Sequence, residues 1–354
     1  MTAPAAFAIP GDITTLTGGY LYERHLLEHL RAAGHDMQHI VLAESFPDPS
    51  AREMEEAVTA LAALPSDQPL ILDGLVFGAI DTAGLAQVSA PVIAMIHHPL
   101  ALESGLSEAR REHLYRTERD NLRLAAHVLV PSPHTQSILV DRYEVDPDRI
   151  TVLRPGVAPA VGRSEPIDPP LILSVGILHP RKGHDVLIEA LASLRDFDWT
   201  AVIVGSAWDP EHAEVLAQQL AKLDFGGRIR LAGRVTLEEL QRLYRAASVF
   251  ALATRYEGYG IVFDEAMSYG LPAISCDTGA VRETLPASAS LLVPPDNAMA
   301  FADALQRILE DKELRTRLAA AALQAGKAQP GWPQQTEIAS KLINQLAPQA
   351  GNGF

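Results

Sequence analysis

The sequence predicts an α/β protein built as two open, doubly wound domains, and three observations predict it. Short apolar runs alternate with amphipathic stretches along the whole chain, the pattern of βαβ units on parallel sheets. The alternation breaks once, at APAVGRSEPIDPP, a Pro-rich polar stretch without a period that reads as an interdomain linker. At 354 residues the chain is too long for one ordinary core and suits two of comparable size.

In the first domain, residues 1–160, strands are expected near AAFAI, HIVLA, PLILDG, PVIAMIH and AHVLVPS. Between the first two lies YLYERHLLEHLRAAGH. Its Leu26, Leu27 and Leu30 recur at helical spacing, and Gly34 follows as a stop. The domain closes with RITVLRPGV. In the second, residues 168–330, the strands are PLILSVG, TAVIVG, RIRLAG, SVFALA, PAISC and SLLVP, with helices such as GHDVLIEALASL and EHAEVLAQQLAKL between them. A last helix, in the segment 331–350 after Trp332, precedes a polar Gly-rich tail. Two such domains facing each other place the C-terminal strand ends of both sheets at one interdomain cleft, where ligands of open α/β sheets bind. That architecture names no reaction.

Composition narrows the classes. Hydrophobic residues make up 47% and charged residues 21%, as in ordinary globular chains, and no apolar run approaches the ~18 residues of a membrane helix. MTAPAAFAIP has no basic n-region, so no signal peptide is read and a cytoplasmic location is the default. The single Cys276 excludes an intramolecular disulfide and reads as a small buried hydrophobe. A net charge of −15 disfavours nucleic acid and allows at most peripheral membrane contact, yet an anionic ligand remains possible where local donors hold it.

Two loops offer such donors. In SVGILHPRKGHDVLIEAL a strand ends at Gly176 and a helix starts after Gly183, with Arg181 and Lys182 at its mouth. Two cations beside helix N–H groups suit a pyrophosphate; the same features also describe a solvated βα loop. In ALATRYEGYGIVFDEAMSYGLP a strand ends near Thr254, Gly258 and Gly260 flank Tyr259, and a helix begins around Ile261. The glycines permit close backbone approach. Glu265 lies a turn inside the helix, placed to accept from a ribose diol, and Glu257 at the strand end could face a sugar. The plain alternative is a capped helix start with an acidic loop. His97 and His98 end PVIAMIHH; neighbours on a strand point to opposite sides, and a strand-end His is more often a structural hydrogen-bonder.

The second loop carries a resemblance. Glu257 and Glu265 stand at the E-x7-E spacing of glycosyltransferase family 4, within a Gly-aromatic-Gly turn followed by EAM and GLP. GRVTLEELQRLYRAASVF, SCDTGAVRETL with Glu283, and SLLVPPDNAMAFADAL resemble the family segments around it, and TLTGGYLYERHLLEHLRAAGH its N-terminal Gly-Gly loop. VGILHPRKG resembles the G-R-x4-K-G loop, with Lys182 as the lysine and Ile177 where the family has Arg; Arg181 is the candidate to share that role.

The resemblance implies a GT-B fold of two Rossmann-like domains, donor-binding in the C-terminal one and acceptor-binding in the N-terminal one, with the last helix returning to the first domain. It implies retaining transfer of a sugar from a UDP- or GDP-sugar to an acceptor hydroxyl with α-linkage. Lys182 would contact the donor pyrophosphate, Glu265 the ribose, and Glu257 the sugar near its reacting face. Gly260 and Ile261 amides, Gly18 and Gly19 would approach phosphate or sugar, Arg234 and Val235 the base, and His97 the sugar. The partners are then a nucleotide sugar and a hydroxyl acceptor, whether glycan, lipid-linked or small molecule; no cofactor or metal is expected to be required.

The D-x-D pairs Asp146–Asp148 and Asp196–Asp198, a metal motif in the other large glycosyltransferase fold, read as solvated turns. In SEARREHLYRTERDNLRLAAH, Glu108, Glu112, Glu118 and Asp120 interleave with arginines, which reads as an exposed salt-bridged face. No G-x-G-x-x-G opens the first helix, so a dinucleotide oxidoreductase is not supported. A sugar-nucleotide epimerase, a phosphorylase and a non-catalytic nucleotide-sugar binder remain the alternatives.

Overall fold

The computed structural model describes residues 2–103, 105–162 and 164–347; residues 348–350 of the expected C-terminal segment and the Gly-rich tail lie outside them. The chain divides into two units, Met1–Gly156 together with the segment starting at Pro330, and Val157–Gln329.

The first unit holds β1 (Ala5–Pro10), β2 (Met37–Leu42), β3 (Leu70–Asp73), β4 (Val92–Met95), β5 (His127–Val130) and β6 (Ile150–Val152) in one sheet ordered β2-β1-β3-β4-β5-β6. Every pairing is parallel. Strands β1, β3 and β4 are buried at every position, as parallel strands covered on both faces are. The chain runs outward from β1 to β2 and then returns to add β3 on the other side, so the order reverses between β1 and β3. Helix Gly18–Ala32 leaves β1 with Thr17 as its N-cap, and Leu26, Leu27 and Leu30 face the core as their spacing requires.

Helix Trp332–Leu346 belongs to this unit and packs on helix Gly18–Ala32. Trp332 stacks on His29 at 5.3 Å and packs against Tyr22 and His25. His35 Nε2 bonds Ser340 Oγ at 2.7 Å, and the Ala3 N–H donates to Asn344 Oδ1.

The second unit holds β7 (Leu171–Val175), β8 (Thr200–Val204), β9 (Ile229–Gly233), β10 (Val249–Leu252), β11 (Ala273–Cys276) and β12 (Ser290–Val293), ordered β12-β11-β10-β7-β8-β9 and again all parallel. Here the order reverses between β7 and β10. Cys276 is fully buried, at the end of β11. The linker stretch lies along this unit: the Glu165 and Ile167 N–H groups donate to the Arg245 and Ala246 carbonyls, and Val161 N–H to Tyr269 Oη.

One expectation is corrected. Helix Glu108–Leu124 carries the expected ion pairs, Glu112 with Arg116 and Asp120 with Arg119 and Arg123. Glu118 is not on that face. It is fully buried, because Leu114, Glu118, Asn121 and Leu122 recur at helical spacing and all turn inward. Asp146 spends its carboxylate capping a turn through the Asp148 N–H at 3.0 Å. Among the described residues no helix is long and apolar enough to cross a membrane.

Candidate functional site

The singled-out residues fall into two groups, one in each unit, each at the strand ends where its sheet order reverses. Ligands of open α/β sheets bind at such points because the loops leave in opposite directions and open a crevice between them.

In the second unit the loop after β7 runs through Ile177 to a 3-10 turn, Pro180–Lys182, and helix His184–Ala192 follows. Gly183 caps that helix at φ +64°, and a Cβ there would lie 1.9 Å from the Ala253 carbonyl oxygen, so only glycine lets this loop press against the end of β10. Lys182 Nζ donates to Glu257 Oε1 at 2.6 Å, and Arg181 Nη1 stands 3.7 Å from Glu257 Oε2. Arg181 Nη1 also donates to the Tyr256 carbonyl. Thr254 Oγ1 lies 3.1 Å from Glu257 Oε1. Glu257 is 4% exposed. Burial by itself raises its carboxyl; the charges of Lys182 and then Arg181, with hydrogen bonds from Lys182 and Thr254, outweigh burial and hold it below the ordinary value. Glu257 is therefore a buried carboxylate at neutral pH, facing two cations.

Gly260, at φ +93°, caps helix Ile261–Ser268, whose first residue is Ile261. Glu265, partly buried, accepts from Tyr244 Oη at 2.8 Å. Burial raises its carboxyl and the tyrosine bond lowers it, with burial prevailing. Arg234 and Val235 follow β9, two strands from β7; Arg234 is exposed and Val235 is packed against an apolar cluster.

Sequence reading missed two residues that build this loop pair. Arg255 makes a bidentate contact with Asp185 at 3.0 and 2.7 Å, bonds Asp296 Oδ1 at 2.6 Å, and donates to the Pro180 carbonyl, so it ties the Lys182 loop to the Glu257 loop. Its only sequence signal is its place two residues before Glu257. Gly279, at φ +53°, lies so close that a Cβ would stand 2.2 Å from the Glu257 carbonyl oxygen; the next N–H, of Ala280, donates to that oxygen at 2.9 Å.

In the first unit Gly18 opens helix Gly18–Ala32, and a Cβ on Gly19 would stand 3.6 Å from the His97 ring. His97 Nε2 lies 3.1 Å from Glu23 Oε1 and 4.0 Å from Asp73 Oδ2, and the Tyr22 ring meets it edge-on. Glu23 and Asp73 were not legible as site residues. His98 turns to Glu103 instead.

A family model described as "Glycosyl transferases group 1" matches residues 162–325, and one described as "Glycosyltransferase Family 4" matches residues 18–161. The D-inositol 3-phosphate glycosyltransferase of Kineococcus radiotolerans is 31% identical over 237 residues, 58% of this chain and 54% of that protein; that of a Nocardioides species is 32% identical over 230 residues, 57% and 50%. The chain thus spans about half the length of the curated relatives it matches. Among solved structures, the sucrose-phosphate synthase of Thermosynechococcus elongatus superposes with a TM-score of 0.84 at 23% identity, over 97% of this chain and 99% of that one. The Anabaena protein HepE in complex with UDP-glucose gives 0.79 at 16% identity, over 98% and 100%. These likenesses show a shared fold, the α/β GT-B fold. The two family models follow one another along both halves of the sequence, and the chain belongs to glycosyltransferase family 4.

Proposed function

We propose that this protein is a retaining glycosyltransferase that moves a sugar from a UDP- or GDP-sugar to an acceptor hydroxyl with α-linkage, in the cytoplasm. The observation that carries the reading is the Lys182–Arg181–Glu257 cluster at the reversal point of the second sheet. A buried carboxylate held ionised by two cations is costly unless each charge has a use. Transfer from a nucleoside diphosphate supplies both uses. The departing diphosphate develops negative charge, which Lys182, Arg181 and the N–H groups opening helix His184–Ala192 can stabilise. The sugar develops positive charge, which the Glu257 carboxylate can face. With a positive cluster of this kind the reaction needs no resident metal.

In this reading Glu265, oriented by Tyr244, accepts from the ribose diol, and Gly260 and Ile261 offer backbone N–H groups near phosphate or sugar. His97, Gly18 and Gly19 serve the sugar and phosphate, and Arg234 and Val235 the base. The acceptor hydroxyl attacks from the face the diphosphate leaves, and a leaving phosphate oxygen takes its proton, so no side-chain base is needed. Relatives of two kinds bear on the substrates: those named D-inositol 3-phosphate glycosyltransferase suggest a sugar-like polyol phosphate as one acceptor to try, and the UDP-glucose complex of HepE favours a UDP-sugar among donors.

Thermal shift with UDP, GDP, ADP and their sugars tests the donor. One nucleotide class should raise the melting temperature by ~2–5 °C at saturation. Glu257→Gln should keep that shift and lose transfer by at least ~100-fold. No shift with any nucleotide, or wild-type transfer by Glu257→Gln, sinks the proposal. Donor interconversion without an acceptor would instead indicate an epimerase.

A further inference from the structure

At the reversal point of the first sheet three titratable side chains meet from three separate elements. Glu23 is on the second turn of helix Gly18–Ala32, Asp73 ends β3, and His97 lies two residues beyond β4. Glu23 and Asp73 are 1% and 3% exposed. One carboxyl oxygen of each and a ring nitrogen of His97 lie within 4.8 Å of one another, and His97 Nε2 is 3.1 Å from Glu23 Oε1.

The close approach of two buried carboxyl groups bears on their proton count. Two ionised carboxylates are acceptors only and repel when buried side by side, which favours one proton shared between them. Asp73 Oδ1 already accepts from the N–H groups of Leu75 at 2.8 Å and Val76 at 3.4 Å, which leaves Oδ2 to carry the proton toward Glu23. Burial supports this by driving Glu23 up to about 7 and Asp73 well above the carboxylate range, where the nearby Glu23 charge adds to it. The other ionisable groups in reach are Tyr20 and Tyr22 on the same helix, with Glu44 and Asp12 acting on Tyr20, and none of them is a cation. Glu23 Oε1 then accepts from His97, whose imidazole burial keeps neutral by lowering its basicity. A neutral ring has one N–H, and a donor at Nε2 makes Nδ1 an acceptor.

We propose that Glu23 and Asp73 are positioning residues that share one proton and lock His97 in its Nε2–H form, so that Nδ1 accepts a hydrogen bond from one hydroxyl of the donor sugar. The lock is argued from the burial and close approach of the three side chains; its link to the sugar rests on the role proposed above for His97.

The test reads the tautomer directly, without relying on activity. In protein labelled with 15N-histidine, the His97 signals, identified by their loss in His97→Gln, should show the Nε2–H form. Glu23→Gln presents an amide that can donate to the ring, and it should shift His97 toward the Nδ1–H form. Asp73→Asn should preserve the wild-type tautomer, because its amide still donates to Glu23 and its oxygen still caps the following turn. Nucleotide-sugar affinity should fall by about tenfold in Glu23→Gln, with affinity for the free nucleoside diphosphate unchanged. An Nδ1–H ring in the wild type, or an unchanged ring in Glu23→Gln, overturns the lock. A His97 spectrum that changes when Zn2+ or Mn2+ is added and reverts with chelator also overturns it, since the three ligand atoms lie within 4.8 Å of one another and a cation would displace the shared proton. Unchanged sugar affinity in His97→Gln would remove the link to the donor while leaving the tautomer result to stand or fall alone.

Discussion

Tyr244 holds Glu265 by one hydrogen bond, and the pair shows how a residue can serve a site it does not face. Tyr244 is buried on helix Leu237–Ala246, stacked on Tyr269 at 5.2 Å, so its hydroxyl is fixed before any ligand arrives. Tyr244→Phe keeps the stacking and strands the Glu265 carboxyl. Leaving such a group short of a partner costs about 1–3 kcal/mol, and here it also frees the side chain to rotate. The expected result is nucleoside diphosphate binding weakened by about five- to tenfold in calorimetry, with the melting temperature lowered by only a few degrees. The tyrosine bond also opposes the burial that raises Glu265, so the variant should need a higher pH than the wild type to reach full binding. Glu265 itself was legible in the sequence through its spacing from Glu257. Tyr244 was not, because the two residues are 21 positions apart and only the packing of two helices joins them.

At the scale of elements, the sequence showed strands, helices and their order, since each is a local pattern of apolar residues and caps. The starts of helices His184–Ala192 and Ile261–Ser268 could be read from Gly183 and Gly260. The pairing of Lys182 with Glu257 could not, because the residues are 75 positions apart and meet only where β10 joins β7 instead of the preceding β9. Arg255 was overlooked for the same reason. Nor did helical periodicity alone separate Glu118 from its exposed neighbours until it was combined with the inward Leu114 and Leu122. The loops that meet at β7 and β10 are held by backbone contacts that tolerate no side chain. Gly279→Ala should therefore push the Glu257 backbone from its place, both through the 2.2 Å approach and through the strain of a positive φ. Transfer should fall by at least ~100-fold, in contrast to Gly226→Ala, whose Cβ meets nothing within 4 Å and whose φ of +59° brings only a modest loss of stability. Equal activity of the two variants would show that Glu257 does not depend on this contact.

The whole molecule carries buried ionisable groups of both kinds, and their opposition sets how its stability responds to pH. Glu118 accepts from the Leu100 N–H, and burial pushes its carboxyl from 4.5 up to about 8. Because its folded value is raised, its stabilising contribution is complete below 4.5 and is lost as pH rises toward 8: the unfolded chain ionises while the folded one must stay protonated. Glu23, raised to about 7, acts in the same direction. His184 acts in the opposite direction. Burial lowers it from 6.5 to about 4, so its contribution is complete above 6.5 and is lost as pH falls toward 4. The groups overlap between 4.5 and 6.5, whereas above 7 the histidine and Glu23 have largely finished, and Glu118 continues to act alongside Asp73, which burial also raises well above the carboxylate range. Glu118→Gln keeps a neutral group of the same shape, so the difference between variant and wild type isolates it. Between pH 6.5 and 8 the variant should gain about 2 kcal/mol relative to the wild type, from ~1.4 kcal/mol per pH unit over that window. Native-state hydrogen exchange read on peptides of the first unit measures this without requiring the two units to unfold together. A difference that stays constant from pH 5 to 8.5 would mean that Glu118 is ionised in the folded protein throughout, and the buried proton assigned to it would have to be withdrawn.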